Sequence, residues 1–373
     1  MAQNSSLRVD VVDPSAYTPP YDHALCAALA RAGAAVRLQT ARFPYGPVPA
    51  AAGYERCERF YRHGGGGAGS RRRFAAKLAQ HVPDMLRYGR AANAADVVHF
   101  QWLTVQPLDL HLLPHGKPVV LTAHDVLPRE PRRAQRGAQR RLYERVDAVV
   151  VHSEHGRERL VGALDIDRDK VHVIEHGAFE HLTRVPGARP LPADLAAVDK
   201  PVVLFFGLVR PYKGIDVLLD AWRELRPDAE LWIVGMPRMD IATLRAQAPA
   251  SVRWVSRFVA DDEIAAYFQR ADLVVLPYRE IDQSGVLFTA LAFGSPLLLS
   301  DVGGFGEVAA QGAAALVASG DPAALASELQ RLLGDAAQRS TLAEGARRAA
   351  RGRYSWDAIA RRHLELYGQL TGR

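Results

Sequence analysis

Residues Pro201-Val-Val-Leu-Phe-Phe-Gly-Leu-Val-Arg-Pro-Tyr-Lys-Gly-Ile-Asp216 decide how the chain is read. Val202 to Phe206 have the length and unbroken hydrophobicity of a strand covered on both faces. Gly207 ends that run, the loop beyond it carries Arg210 and Lys213, and a helical pattern opens near Gly214. A buried strand feeding a basic loop and a helix N-terminus gathers phosphate, because unpaired backbone N–H groups and the helix dipole both favour an anion. A second junction of this kind lies downstream. The apolar run Leu273 to Leu276 leads through Tyr278-Arg-Glu-Ile-Asp-Gln-Ser284 into a helix over 284–293, so Ser284, Gly285 and Val286 form a second helix N-terminus suited to phosphate oxygens.

Outward from these junctions the chain alternates short apolar runs with helical patterns. The runs are Leu7–Val12, Ala35–Thr40, Asp96–Trp102, Pro118–Ala123, Ala148–His152 and Val171–Ile174 in the first half. In the second they are Pro201–Phe206, Glu230–Val234, Val252–Val255, Leu273–Leu276, Pro296–Ser300 and Ala315–Ala318. Amphipathic patterns over 22–32, 130–146, 153–164, 214–226, 261–270 and 284–293 separate them. The rhythm predicts an α/β protein with two doubly wound, Rossmann-like domains facing each other across a cleft. Pro186, Gly187, Pro190 and Pro192 mark a linker over 183–200, and a last helix is expected from about Ser355 to Leu370. The domain expectation is therefore 1–185, 186–354, and a closing helix 355–373 that packs back on the first domain.

The 373 residues carry a net charge of +6. Residues 1–185 contain 26 Lys and Arg against 19 Asp and Glu, a balance of +7, and the remainder carries −1. A basic first half suits an anionic partner such as a phosphorylated acceptor or a membrane surface, and no nucleic-acid module accompanies it. Two cysteines, Cys26 and Cys57, give no disulfide framework. The polar start Met1 to Ser6 has no leader layout, and no apolar run reaches membrane-spanning length, so a cytoplasmic protein is expected, at most peripheral at the inner face of a membrane.

At its motifs the chain resembles the retaining family 4 glycosyltransferases of GT-B fold. Gly207-x-x-Arg210-x-x-Lys213-Gly214 is similar to that family's diphosphate clamp. Ala290-Leu-Ala-Phe-Gly-Ser-Pro296 and Asp301-Val-Gly-Gly with Glu307 resemble its donor-site helix and the segment after it. Val120-Leu-Thr-Ala-His-Asp-Val-Leu-Pro128 resembles its strand leading to an active-site histidine, and Val149-Val-Val-His-Ser153 and Val173-Ile-Glu-His-Gly177 extend the likeness. The resemblance implies an acceptor-binding first domain, a nucleotide-sugar-binding second domain, and a metal-independent hexosyl transfer from a UDP- or GDP-linked sugar to a glycan, lipid-linked or small-molecule acceptor. No cofactor is implied beyond the nucleotide sugar itself. An epimerase, a glycosidic phosphorylase or a non-catalytic sugar-binding protein are the rival readings.

The same resemblance names the site. Gly207, Arg210, Lys213, Ser284, Gly285, Val286 and Thr289 would hold the donor, and His124 would be catalytic. The family's two glutamates, eight positions apart, fall here on Ile281 and Thr289. Asp282, preferred, or Glu280 would supply the missing acid. Asp13-Pro-Ser-Ala-Tyr-Thr-Pro-Pro-Tyr-Asp22 replaces the family's Gly-Gly loop, leaving Tyr21 and Asp22 at a helix start. His99, Gln101 and Trp102 end a strand and are candidates for the cleft or acceptor. Asp165-Ile-Asp167 has the form of a metal-binding pair but sits in a polar turn, so no metal is expected. The glycine run 64–69 follows no strand and reads as a loop. Arg129, Arg133, Arg136 and Arg140 form a basic helical stripe, which Arg71-Arg72-Arg73 would reinforce as a contact for anionic lipid or a phosphorylated acceptor.

Overall fold

The computed structural model describes residues 6–373 except 45, 47, 64–70, 104 and 128–134. The glycine run 64–69, the arginines at 129, 132 and 133, and the side chains of Arg71 and Arg73 lie outside what is described.

The chain forms two compact units, residues 1–175 with 356–373, and residues 176–355. In the first, a seven-stranded sheet comprises β1 (Arg8–Asp13), β2 (Ala35–Ala41), β3 (Glu55–Phe60), β4 (Val97–Phe100), β5 (Val119–Thr122), β6 (Ala148–Val151) and β7 (Val171–Val173). Its order is β3-β2-β1-β4-β5-β6-β7, with every ladder parallel. The second unit has a six-stranded parallel sheet of β8 (Val202–Phe206), β9 (Glu230–Val234), β10 (Val252–Val255), β11 (Leu273–Leu276), β12 (Leu297–Ser300) and β13 (Ala314–Val317), ordered β10-β9-β8-β11-β12-β13. In both sheets the order reverses beside the first strand, between β1 and β4 and between β8 and β11. The carboxyl ends of those strand pairs are where a doubly wound sheet opens a crevice.

The central strands are buried end to end, as the apolar runs require: β4, β5, β6, β8, β11 and β12 have no exposed residue. Twelve of the thirteen strands coincide with the runs read above. β3, Glu-Arg-Cys-Glu-Arg-Phe, does not, because it is an edge strand in which Phe60 alone is buried and four of the six residues are charged. Inside the first sheet, Asp10 and Arg37 are register partners on β1 and β2 and join by two hydrogen bonds of 2.7 and 3.0 Å, with Asp10 fully buried.

The helix Trp356–Thr371 belongs to the first unit. Arg31 binds Asp357, Arg362 pairs with Glu175, and Tyr367 meets His99. Residues 176–185, read above with the first domain, fall in the second unit. Asp165 caps the helix Glu154–Leu164 in a left-handed conformation and receives Arg140, while Asp167 caps a short turn through the N–H of Asp169. These are ordinary turn duties for both carboxylates. No helix among the described residues is long and apolar enough to cross a membrane.

Candidate active site

In the second unit the crevice is shaped by glycine. Gly207 follows β8 with φ +106°, and a Cβ there would lie 2.8 Å from Val286 Cγ2 and 3.2 Å from Lys213 Nζ. Gly214 has φ +65°, and a Cβ there would lie 2.0 Å from the carbonyl oxygen of Pro277, so no other residue fits without moving the strand end. Absence of side chains at these two positions lets three segments, Gly207, Lys213 and Val286, meet at one point.

Lys213 is the cation at that point. Its side chain is 6% exposed, and Nζ lies 4.8 Å from the ring centre of Tyr278 and 6.0 Å from that of Phe205. Aromatic faces stabilise an ammonium only partly, and Lys213 has no carboxylate partner among the described residues. Arg210 is exposed, extended in conformation, and likewise unpaired with any described carboxylate. Arg279, by contrast, spends its charge on Asp216 through bonds of 2.7 and 2.6 Å and ties the loop after β11 to the helix Ile215–Leu225. The helix Gly285–Phe293 begins beside Val286, with Ser284 at its N-cap. The Ser284 hydroxyl lies 3.5 Å from that of Tyr278. Thr289 donates its hydroxyl to the carbonyl of Gly285, 3.0 Å away, which satisfies it inside the helix. Asp282 is buried and Glu280 exposed. The aromatic pair Tyr278 and Phe205 escaped the sequence reading, since each looks like an ordinary core residue.

In the first unit a cluster forms at the carboxyl edge of the sheet. His124, two residues past β5, is half-buried. Trp102 stacks on it with ring centres 5.0 Å apart and planes at 14°, and Tyr21 meets it edge-on at 4.8 Å. Trp356 closes the other side of Tyr21 at 5.1 Å. Trp102 Nε1 donates to Thr18 Oγ1 at 2.9 Å. Gln101 and His152 reach the two imidazole nitrogens of His124, each at 3.1 Å. His124, Gln101, Trp102 and Tyr21 are thus brought together from three separate segments. His152 and Trp356 complete the cluster and were missed; the signal for His152 was its place one residue beyond β6, matching that of Gln101 beyond β4.

His99 departs from the expectation. It lies within β4, fully buried, with Nδ1 2.6 Å from Tyr367 Oη and Nε2 2.7 Å from Thr122 Oγ1, so both nitrogens are consumed inside the protein. Burial, with His363 and His152 nearby, pushes its pKa well below the ordinary value. Asp22 departs too. It is 1% exposed, and burial together with the adjoining Asp13 carboxylate holds it well above the usual carboxylate range. Asp13 then takes the backbone N–H groups of Ser15, Tyr17 and Thr18 at 3.1, 2.5 and 3.2 Å. The loop amides that would otherwise face an outside anion are occupied by the chain's own carboxylate.

Two parallel doubly wound sheets with a basic, glycine-shaped crevice define the class: a glycosyltransferase of GT-B fold. A model described as Glycosyl transferases group 1 matches residues 200–335, and one described as Glycosyltransferase Family 4 matches residues 21–178. The chain belongs to the family 4, group 1 glycosyltransferases. A D-inositol 3-phosphate glycosyltransferase of Xylanimonas cellulosilytica is 30% identical over 76% of this chain and 74% of its own length. Among solved structures, sucrose-phosphate synthase from Thermosynechococcus elongatus shares the fold with TM-score 0.76 and 22% identity over 98% of this chain and 99% of that one. HepE of Anabaena, in complex with UDP and glucose, does so with TM-score 0.73 and 19% identity over 98% and 100%.

Proposed function

We propose that the chain moves a hexose-type sugar from a UDP- or GDP-linked donor to an acceptor hydroxyl, with retention of configuration and without metal. The observation that carries this reading is Lys213: a buried ammonium at the mouth of β8, walled by aromatic rings and lacking a described carboxylate partner. A buried cation is costly until an anion joins it. A nucleoside diphosphate supplies that anion, and its charge grows as the glycosidic bond breaks. Lys213, Arg210 and the N-terminus of the helix Gly285–Phe293 would stabilise the leaving group. The leaving phosphate would help to deprotonate the acceptor on the same face. Asp282, being buried, suits the sugar hydroxyls better than exposed Glu280, and His124 would orient the sugar. The relative named for D-inositol 3-phosphate points to a phosphorylated acceptor, which the basic first half would favour. The relatives' names do not favour the epimerase, phosphorylase or sugar-binding readings. Thermal-shift screening against UDP-, GDP- and ADP-linked sugars, with and without EDTA, tests the proposal. One UDP- or GDP-linked sugar should raise the melting temperature equally in both conditions; no shift with any member of the panel would remove the donor site.

A peripheral membrane contact has its own support. The helix Arg71–Ala91 exposes Phe74, Leu78 and Leu86, and its one acidic residue, Asp84, is held by Arg87 and the backbone of Tyr61. Arg72 and Arg90 lie exposed on the same helix. Apolar side chains flanked by cations fit an anionic lipid surface. In the stripe read over 129–140, Arg140 is engaged with Glu144 and Asp165, so the earlier helix is the better candidate. Co-flotation should favour anionic over neutral vesicles and weaken with salt; equal flotation on both would end this reading.

A further inference from the structure

Lys213 stays in its crevice without an ion pair. A lysine side chain is a flexible stem that loses much rotamer freedom when fixed, and an ammonium left to itself turns toward water. Lys213 is nevertheless 6% exposed, and no carboxylate among the described residues faces it. Arg279, one residue past Tyr278, is held in the opposite way: Asp216 ties it down through bonds of 2.7 and 2.6 Å and takes up its charge.

The group that faces Lys213 is the ring of Tyr278. Nζ lies 4.8 Å from its centre, within cation–π range, and the Phe205 ring, at 6.0 Å, stands at the limit of that range. Tyr278 is itself firmly held. It is fully buried, its carbonyl oxygen accepts the hydroxyls of Ser300 at 2.5 Å and Ser319 at 3.0 Å, and Phe305 packs against its ring with centres 5.5 Å apart. The residues on either side fasten it to the loop that carries Lys213: the Arg279 N–H donates to the carbonyl of Tyr212 at 2.8 Å, and the Pro277 carbonyl fills the space left by Gly214. The Tyr278 hydroxyl stands 3.5 Å from that of Ser284, too far for a firm hydrogen bond, so the ring face is what acts on the lysine. A ring face attracts an ammonium through its quadrupole but carries no net charge. An anion entering this crevice therefore meets a cation already in place and no carboxylate to displace.

We propose that Tyr278 is a positioning residue whose ring holds the Lys213 ammonium in the crevice, ready to receive a diphosphate. This rests on the reading of the chain as a transferase whose donor carries a diphosphate at Lys213. Without the ring the ammonium would swing out toward water, and binding would have to bring it back. The affinity lost is then what the ring contributed before binding.

The test is calorimetric binding of pyrophosphate, UDP and GDP to the full chain carrying, at position 278, tyrosine, phenylalanine, or phenylalanine with one and then three ring fluorines. Fluorines nearly keep the shape of the ring and drain the negative charge from its face. Tyr278→Phe should bind the probes as wild type does. Affinity should then fall with each step of fluorination, reaching a loss of roughly threefold to thirtyfold at the last, the range of a cation–π contact at a partly dry site. In a Lys213→Ala background the same series should be level. A level series with Lys213 present would mean that the ring only fills space, and an equal fall with Lys213 absent would mean that it acts without the lysine; either overturns the proposal. Wild type that binds none of the probes overturns the proposal and the donor site together. The expected fall without sugar transfer from any UDP- or GDP-linked donor would uphold the role of Tyr278 and refute the functional reading alone, while sugar transfer with a level series would do the reverse.

Discussion

The two units build their crevices by different means. In the second, the core around Trp222, Trp232 and the Val and Leu strands is apolar, and the site depends on backbone shape: glycines at 207 and 214 bring a lysine, a valine and a helix start together. The first unit hides polar groups throughout. Only His176 and His181 of the thirteen histidines lie in the second unit. Buried in the first are the His81–Asp109 pair at 2.6 Å, the Asp10–Arg37 pair and the His99–Tyr367 bond. Shape held by glycine tolerates little change in volume but is indifferent to pH. A side-chain hydrogen-bond network has the reverse weakness.

The largest effect should come from the second unit's cations. Arg210→Ala and Lys213→Ala should each lower turnover by roughly 10²–10³-fold, about 3–4 kcal/mol, as when one preorganised donor to a developing oxyanion is removed. Arg210→Lys should recover only part, since an ammonium cannot grip phosphate bidentately. Steady-state kinetics alongside circular dichroism decides; folded alanine variants with near wild-type rates would void the clamp. Next, Gly214→Ala should destabilise the second unit by roughly 2–3 kcal/mol, because a left-handed position and a Cβ at the Pro277 carbonyl both oppose it. A denaturant midpoint equal to wild type would mean that the strand end yields.

A smaller loss is expected from His124→Ala, about tenfold to a hundredfold in turnover, with nucleotide affinity little changed. A rise in nucleotide Kd equal to the loss in turnover would place the ligand differently. The mildest effect is on acid stability. His23, His152 and His363 are lowered to about 4 by burial, and burial holds His99 well below its ordinary value. Each is neutral when folded and takes a proton when unfolded below about 6.5. Their contribution to stability is therefore whole above pH 6.5 and lost as pH falls toward 4. The Asp13–Asp22 pair, raised by burial, works in the opposite sense over that window, two groups against four. Amide hydrogen exchange at pH 7 and pH 5 should show the first unit losing more protection than the second; equal loss would deny the contrast between them.

The second unit's site was readable because Gly207, Arg210 and Lys213 sit within seven residues and each type has one chemical reason to be there. The first unit's site comes from the ends of β4, β5 and β6 and the starts of two helices, which no local window contains. His99 and His124 look alike in sequence, each near the end of an apolar run. His99 lies one residue before the end of its strand and His124 two residues past the end of its own, so the first side chain is packed within the sheet and the second emerges at its edge. β3 was illegible because an edge strand needs no apolar run, and Glu55 to Arg59 supply none.

The first unit is discontinuous in sequence. Trp356, which walls Tyr21, and Tyr367, which binds His99, are made by the ribosome only after all of residues 176–355 have emerged. Domains usually fold in order of synthesis, the earlier before the later. Here that order is inverted: the second unit has all its strands while the first still waits for its closing helix. The first unit, its seven strands complete but its closing helix missing, must spend that interval with Tyr21, His99 and Cys26 uncovered. A chaperone that engages nascent chains would meet this protein at its first unit, and a ribosome stalled before codon 356 would release a finished second unit tethered to an unfinished first.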